Sequence, residues 1–526
     1  MRTRFVPRTS RKILCVFPRY APSFGTFQHA YPLFGRRVRA FMPPQGLLVV
    51  AAYLPERWQV RFVDENIATA RAVDFEWADA VLVSGMHVQR PQINDIIRRA
   101  HARGRPVVLG GPSVSGCPEY YPDADVLHLG ELGDATDAVI RHLDGDVRRP
   151  AAQLRFETTD RLPLAEFPHP AYGVLALRQY FIASIQFSSG CPYMCEFCDI
   201  PALYGRNPRL KTHEQVLAEL DEIAAAGATS VYFVDDNFIG NVKAALELLP
   251  RLVDWQARRD YPLRFACEAT LNLAKNERVL ELMREAGFIT VFCGIETPEP
   301  RALHAIAKDQ NLRMPVLEAV RRLNAYGLEV VSGIILGLDT DDAGTADRII
   351  AFIEASNIPM LTINLLYALP KTPLWRRLMA ENRLVDDTGR ESNVAFRLPY
   401  RTVMDMWRKC IDAAYDPPAV YARYAHNQRA TFPHRKRYPV NAARASWRNV
   451  GMGFAMLGRI LWRIGVRGDY RRTFWRMAWP ALRARDIEPL IHVAVVSHHL
   501  IQFTRECARG AGEASFYAPT VPRSAA

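Results

Sequence analysis

From Lys12 to Asn364 the chain repeats one pattern: a short apolar run, a residue that stops it, then a stretch with helical periodicity. Strands that alternate with helices build parallel sheets covered on both faces. The runs Lys12–Phe17, Val60–Val63, Ala80–Val83, Pro106–Leu109 and Asp125–His128 predict five strands. Helical patterns over Gln45–Leu54, Arg90–Arg103 and Asp134–Leu143 fall between them. Residues 1–150 therefore read as a doubly wound, Rossmann-like α/β domain. Every strand after the first is followed by Gly, Asp, Asn or Ser, which lets a ligand approach the strand C-termini at a switch point. Asp64, Ser84, Gly110, Gly111 and Glu131 are the strand-end groups expected to line that ligand.

Residues 151–176 break the rhythm. They are Pro-rich, as in Leu162-Pro-Leu-Ala-Glu-Phe-Pro-His-Pro170, and predict an irregular linker. The rhythm resumes over 177–380. Phe181–Phe187, Ser230–Val234, Arg264–Glu268, Thr290–Gly294, Val330–Ile335 and Met360–Asn364 predict six strands with amphipathic helices between them. Six such units fit a partial (β/α)6 barrel, whose strand C-termini carry the chemistry. Asp235, Asp236, Asn237, Glu268, Gly294, Glu296, Gly333, Gly337 and Asn364 stand at those ends.

The first barrel strand leads through Ser188-Ser-Gly190 into Cys191-Pro-Tyr-Met-Cys195-Glu-Phe-Cys198. Three thiolates this close suit an iron–sulfur cube with one iron left open. An open iron binds a substrate or cofactor, so the motif reads as reactive. Phe197 is placed to shield the cluster. A disulfide framework does not suit a long chain whose other six cysteines, of nine, are scattered. A zinc site wants a fourth ligand, and no second Cys/His pair follows at finger-like spacing.

The basic N-terminus, Met1-Arg-Thr-Arg-Phe-Val-Pro-Arg, lacks the apolar core and cleavage site of a signal peptide. No stretch is long and apolar enough to span a bilayer. These features and the scattered thiols predict a cytoplasmic protein. Residues 421–490 hold 15 of the arginines and lysines against 3 acids, which matches the net charge of +12 of the whole chain. Residues 381–526 read as a mainly helical domain in which Trp447, Phe454, Trp462 and Trp479 lie among arginines. Three readings compete there: a helical cover on the barrel, a peripheral helix on a membrane surface with snorkelling arginines, and an RNA-binding face.

The cysteine loop resembles that of the radical S-adenosylmethionine (SAM) superfamily, and the resemblance covers all three cysteines and Phe197. It implies a [4Fe–4S] cluster on Cys191, Cys195 and Cys198, with SAM on the open iron. Asp235 and Asp236 then suit the amino group of SAM, Glu268 and Glu296 its ribose, and Gly333 and Gly337 its adenine. Asp235-Asp236-Asn237 stands where Gly-Gly-Glu is commoner. The upstream domain resembles the cobalamin-binding domain of cobalamin-dependent radical SAM enzymes, which makes Asp64, Ser84, Gly110, Gly111 and Glu131 cobalamin contacts. The Asp-x-His-x-x-Gly loop that ligates cobalt elsewhere is missing, and His87 is a candidate lower ligand beside the reading of a local hydrogen bond.

Phe17–Phe27, Phe41–Gly46, Ile185–Cys191, Asp199–Pro208 and Phe292–Thr297 resemble the hopanoid C-2 methylases of bacteria. That resemblance implies methylation of an unactivated carbon, C-2 of the A ring of a triterpenoid such as diploptene, through a 5′-deoxyadenosyl radical and methylcobalamin. It also implies an electron donor of flavodoxin or ferredoxin type. Two alternatives stay open: a related methylase or cyclase on another lipid or a tetrapyrrole, and a radical SAM enzyme modifying RNA. The RNA reading ranks lower, because methylthiotransferases carry further cluster cysteines upstream, where this chain has only Cys15 and Cys117.

Overall fold

The computed structural model describes residues 7–35, 37–385, 390–437 and 447–509; the first six residues of the basic N-terminus lie outside it, as do the side chains of Trp447 and Arg448. The first sheet contains β1 (Lys12–Phe17), β2 (Gln59–Asp64), β3 (Ala80–Ser84), β4 (Val107–Gly110), β5 (Val126–Leu129) and β6 (Leu154–Glu157). All pairs are parallel, in the order β2-β1-β3-β4-β5-β6. The direction of winding reverses between β1 and β3, so the switch point lies at their C-terminal ends.

β6 falls inside the segment read as an irregular linker. Its Leu-Arg-Phe-Glu alternates, with Leu154 and Phe156 half-buried and Arg155 and Glu157 exposed, as an edge strand requires. The rest of the linker is fixed in place. Tyr172 donates to the Ser184 carbonyl (2.7 Å), and Tyr180 to Asp64 (2.9 Å).

The second sheet is also parallel. β7 (Ala183–Ile185) starts it; β8 (Ser188–Ser189) and β9 (Arg209–Leu210) form a small antiparallel ribbon around the cysteine loop. β10 (Ser230–Phe233), β11 (Arg264–Glu268), β12 (Phe288–Glu296), β13 (Glu329–Leu336) and β14 (Met360–Leu365) complete the order β14-β13-β12-β11-β10-β7. β7 is shorter than the predicted Phe181–Phe187, because residues 188–189 turn away to pair with β9.

Six strands do not close a barrel, so both open edges need cover. On β14, Tyr415 accepts from the Leu361 amide (2.9 Å) and Trp407 donates to the Ile363 carbonyl (2.8 Å), both from helix Tyr400–Tyr415. At the β7 side, Phe181 and Ile182 donate to the carbonyls of Ala40 and Phe41. Phe27, Phe41 and Phe181 stack in the gap at centroid spacings of 5.2–6.0 Å. Helix Ile487–Ala508 lies across this plug, with His499 bonded to the carbonyls of Ser23 and Phe24 (3.1 and 3.2 Å). Part of the basic C-terminal region is thus a cover on the barrel.

Candidate active site

The cysteine loop leaves the C-terminal end of β7, as its apolar run and Ser-Ser-Gly exit predict. Gly190 has φ +102°, and a Cβ there would stand 2.9 Å from the Gly205 carbonyl, so the loop folds back this tightly only on glycine. Cys191, Cys195 and Cys198 are unpaired thiols. Among the described residues no three Cys, His, Asp or Glu converge tightly enough to hold a single ion. A cube takes one thiolate per iron and needs its ligands spread apart.

Polar and charged groups stand around the sulfurs. Gln310 donates to Cys195 Sγ (3.2 Å), and Asn237 bonds the Cys191 thiol. Lys308 lies 5.5 Å from the Phe197 ring centroid. Burial works against its charge, but Glu296, Cys195 and Cys198 beside it raise its pKa above the ordinary lysine value. Burial pushes the Cys191 and Cys198 thiols up, so these two are neutral until a metal displaces their protons. Three unpaired thiols, a donor on one sulfur and a nearby cation fit an iron–sulfur cluster.

The carboxylates divide. Asp235, 1% exposed, accepts from the amides of Phe187 (2.7 Å) and Ser188 (2.9 Å) and from the Ser188 hydroxyl (2.7 Å). Both its oxygens hold the start of the cysteine loop, a role beside the one expected for it as an acceptor for an amino group. Asp236 accepts from the Gly190 amide (2.7 Å). Burial raises the pKa of Asp235 to about 7 and of Asp236 to about 6. Glu268 faces the barrel interior, and burial, followed by Asp236, raises it to about 7.

Glu296 has φ +66° and is ion-paired to Lys308, the pair being almost fully buried. A Cβ at Gly294 would stand 2.3 Å from Glu296 Oε1, and one at Gly333 3.3 Å from Oε2. These glycines make room for Glu296. Gly337, φ +90°, admits Phe396, whose ring a Cβ would meet at 2.5 Å. The expected backbone approach for adenine thus has a second cause in the protein itself.

At the first sheet, Gly111 has φ +95°, and a Cβ would stand 2.5 Å from Ser84 Oγ. Ser84, Gly110 and Gly111 remain together at the strand tips. Asp64 and Glu131, also expected to line a ligand there, are engaged within the protein. Asp64 accepts from the Asn66 amide and side chain and from Tyr180. Glu131 pairs with Arg209 (2.6 Å) and Arg161 (3.2 Å). Both carboxylates bind the first sheet to segments further along the chain. His87 sits beside the rings of Tyr120 and Tyr367, at 5.2 and 5.9 Å.

A cavity of about 600 Å³ joins the two sheets. Tyr20, Asn66 and Met86 border it at the switch point; Glu268, Phe292 and Thr362 line it inside the barrel; Thr290, Glu329 and Met360 mark its depth. His492, on helix Ile487–Ala508, reaches it at the closed end. Most of its wall is apolar. Lys308, Gln310 and His492 were not legible as site residues: each is a single polar residue in a helical or loop stretch, joined to the site only by folding.

Family models match in three places: a B12 binding domain over residues 33–140, the radical SAM superfamily over 185–353, and a domain of unknown function (DUF4070) over 372–513. The chain is 60% identical to the hopanoid C-2 methylase of Rhodopseudomonas palustris (strain TIE-1), over 97% of each chain. It is 35% identical to an uncharacterized methyltransferase of Synechocystis, over 95% of this chain and 92% of that one. Among solved structures, the cobalamin-dependent SAM radical enzyme OxsB, with aqua-cobalamin bound, superposes with a TM-score of 0.59 at 15% identity, over 95% of this chain and 81% of that one. The radical SAM methyltransferase TsrM from Kitasatospora setae gives 0.54 at 17% identity, over 72% and 76%. The last two share the fold.

Proposed function

The chain belongs to the hopanoid C-2 methylase family of B12-dependent radical SAM proteins, and on that premise we propose that it methylates C-2 of the A ring of a hopanoid such as diploptene. The observation that carries the reading is the cavity: a mostly apolar space running from the switch point of the first sheet into the barrel whose first strand bears the three cysteines. A fused-ring hydrocarbon needs that kind of wall, since each buried apolar contact favours it.

Cys191, Cys195 and Cys198 hold the [4Fe–4S] cluster in this reading. Asp236, Glu268 and Glu296 with Gly333 stand where SAM lies, and Ser84, Gly110 and Gly111 where cobalamin lies. When bound, these cofactors supply hydrogen abstraction and methyl transfer at an unactivated carbon. The protein's own part is to hold the cysteine loop through Asp235 and Asp236, to keep Lys308 beside the thiolates, and to exclude water. A small reducing protein of flavodoxin or ferredoxin type delivers the electron.

The substrate is dissolved in a bilayer, and the protein works at its surface from the cytoplasmic side. Among the described residues no helix is long and apolar enough to cross a membrane. Phe454, Trp462, Val466 and Trp479 are 51–70% exposed on helices Trp447–Ile460, Leu461–Val466 and Arg471–Ala484. Arg467 stacks on Trp462 and Arg483 on Trp479. Aromatic side chains beside arginines suit the headgroup region of an anionic membrane.

The test is anaerobic. Reconstituted protein is incubated with reductant, cobalamin, methyl-labelled SAM and diploptene, and the lipid is analysed by mass spectrometry. Label at C-2, lost in Cys195→Ala, is the expected result. Formation of 5′-deoxyadenosine without labelled lipid would remove the substrate assignment and leave the radical chemistry.

A further inference from the structure

The closed end of the cavity is unlike its walls. Glu329, at the first residue of β13, is 2% exposed. Both its oxygens lie 3.1 Å from His492 Nε2, and Arg435 reaches it at 3.4 Å. Despite burial, His492 and Arg435 hold the Glu329 carboxyl below its ordinary pKa. Arg435 also donates to the carbonyls of Gly327 (3.1 Å) and Ile289 (3.0 Å), which fixes it against the strand starts. Gly327 has φ +82°, and a Cβ there would press on the Arg435 backbone at 2.8 Å. The floor is therefore a built polar cluster. Its Glu329 and His492 line the cavity beside Thr290 and Met360.

Four residues of β13 separate Glu329 at the floor from Gly333 beside Glu296. At the rise of an extended strand that is roughly 13 Å, comparable with the long axis of a five-ring triterpene skeleton. A molecule standing in the barrel with one terminal ring at the cysteine-bearing mouth brings its other end to Glu329 and His492. His492 and Arg435 already pair with Glu329, but a carboxylate keeps further lone pairs, so a hydroxyl arriving there can donate to it, which a hydrocarbon end cannot do.

We infer that Glu329 and His492 form a subsite for a hydroxyl group on the end of the substrate opposite the methylated ring. This rests on the triterpenoid reading and deepens it: the preferred substrate carries an alcohol on the E-ring side, and the floor sets which ring faces the cluster. His492 is a specificity residue here, and it touches no reacting carbon.

The test is equilibrium competition from phosphatidylcholine vesicles, using the full-length, cofactor-loaded protein and three ligands. One is a hopane alcohol with a tertiary hydroxyl on the E-ring side chain. The second is the corresponding hydrocarbon. The third is a pentacyclic triterpene with its hydroxyl on the A ring. The first should bind about tenfold more tightly than the second, equivalent to about 1.4 kcal/mol, and the third should gain nothing over the hydrocarbon. His492→Phe should erase the preference for the first ligand over the second, and His492→Gln should restore part of it. Equal affinity for the first two ligands in the wild type, or an unchanged ratio in His492→Phe, would overturn the subsite alone. Binding of none of the three would overturn the triterpenoid reading and the subsite together.

Discussion

Glu131 and Arg209 meet across 2.6 Å at the seam between the first sheet and the cysteine-loop ribbon, although 78 residues separate them in sequence. Arg209 also reaches the Ser189 hydroxyl (3.0 Å), and Arg161 pairs with the same Glu131 Oε2 at 3.2 Å. Glu131→Gln leaves two guanidinium groups facing a neutral amide in a half-buried seam. We expect a loss of about 2 kcal/mol, read as a lower denaturant midpoint. An unchanged midpoint would show that this clamp does not hold the seam.

Asp235→Asn presents an amide NH2 to a loop that offers it only donors. The start of the cysteine loop should lose its anchor. After anaerobic reconstitution and gel filtration, iron and sulfide per chain should fall well below the wild-type level of about four each. Cys195→Ala supplies the floor of that scale. Full loading of Asp235→Asn would mean that the loop holds its shape without the carboxylate.

Glu268 makes stability depend on pH. Its carboxyl has a pKa of about 7 in the folded protein, raised first by burial, against 4.5 ordinarily. A raised folded value means that the folded state binds the proton more tightly. The stabilisation is full below about pH 4.5 and is lost as pH rises through 7. Glu268→Gln removes the cost of ionising in place. The cofactor-free variant should be more stable than wild type at pH 8, by on the order of 2 kcal/mol, and indistinguishable at pH 4. Parallel stability–pH curves for the two proteins would refute this.

Gly337→Ala combines a left-handed backbone with a contact of 2.5 Å to Phe396. We expect about 2–3 kcal/mol of destabilisation, seen by thermal melting. Adding Phe396→Ala should recover less than half of it, because the backbone strain at φ +90° persists. Complete recovery would assign the whole effect to the clash.

Trp462 and Trp479 test the surface contact. The double change to Ala should weaken partitioning onto anionic vesicles about tenfold and leave methylation of detergent-dispersed substrate unchanged. Wild-type binding should also weaken as salt rises. Flotation of the variant equal to wild type would place the membrane contact elsewhere.

Much of this was legible in the sequence because its causes are local. Five strands of the first sheet are short apolar runs stopped by small or polar residues, a pattern that needs no tertiary knowledge. The three cysteines sit within eight residues, so their common purpose is visible without a fold. β6 escaped because its alternating Leu-Arg-Phe-Glu is half-polar and embedded among prolines. Asp64 and Glu131 were placed correctly at strand tips, but their partners, Tyr180 and Arg209, are 116 and 78 residues away. From sequence alone, a strand-end carboxylate that meets a ligand and one that meets the chain's own tyrosine are identical. His492 was hidden for the same reason: nothing in its arginine-rich surroundings in the sequence distinguishes a side chain that reaches the barrel cavity from one that faces solvent.

The plug at Phe24–Phe41 precedes by far helix Ile487–Ala508, which clasps it through His499, 476 residues after Ser23, and brings His492 to the floor. A chain emerging from the ribosome therefore folds both sheets while the barrel is still open at its base. The reaction vessel gains its bottom only after roughly 500 residues have been joined. Without that helix the cavity lacks the wall that His492 and Val496 supply.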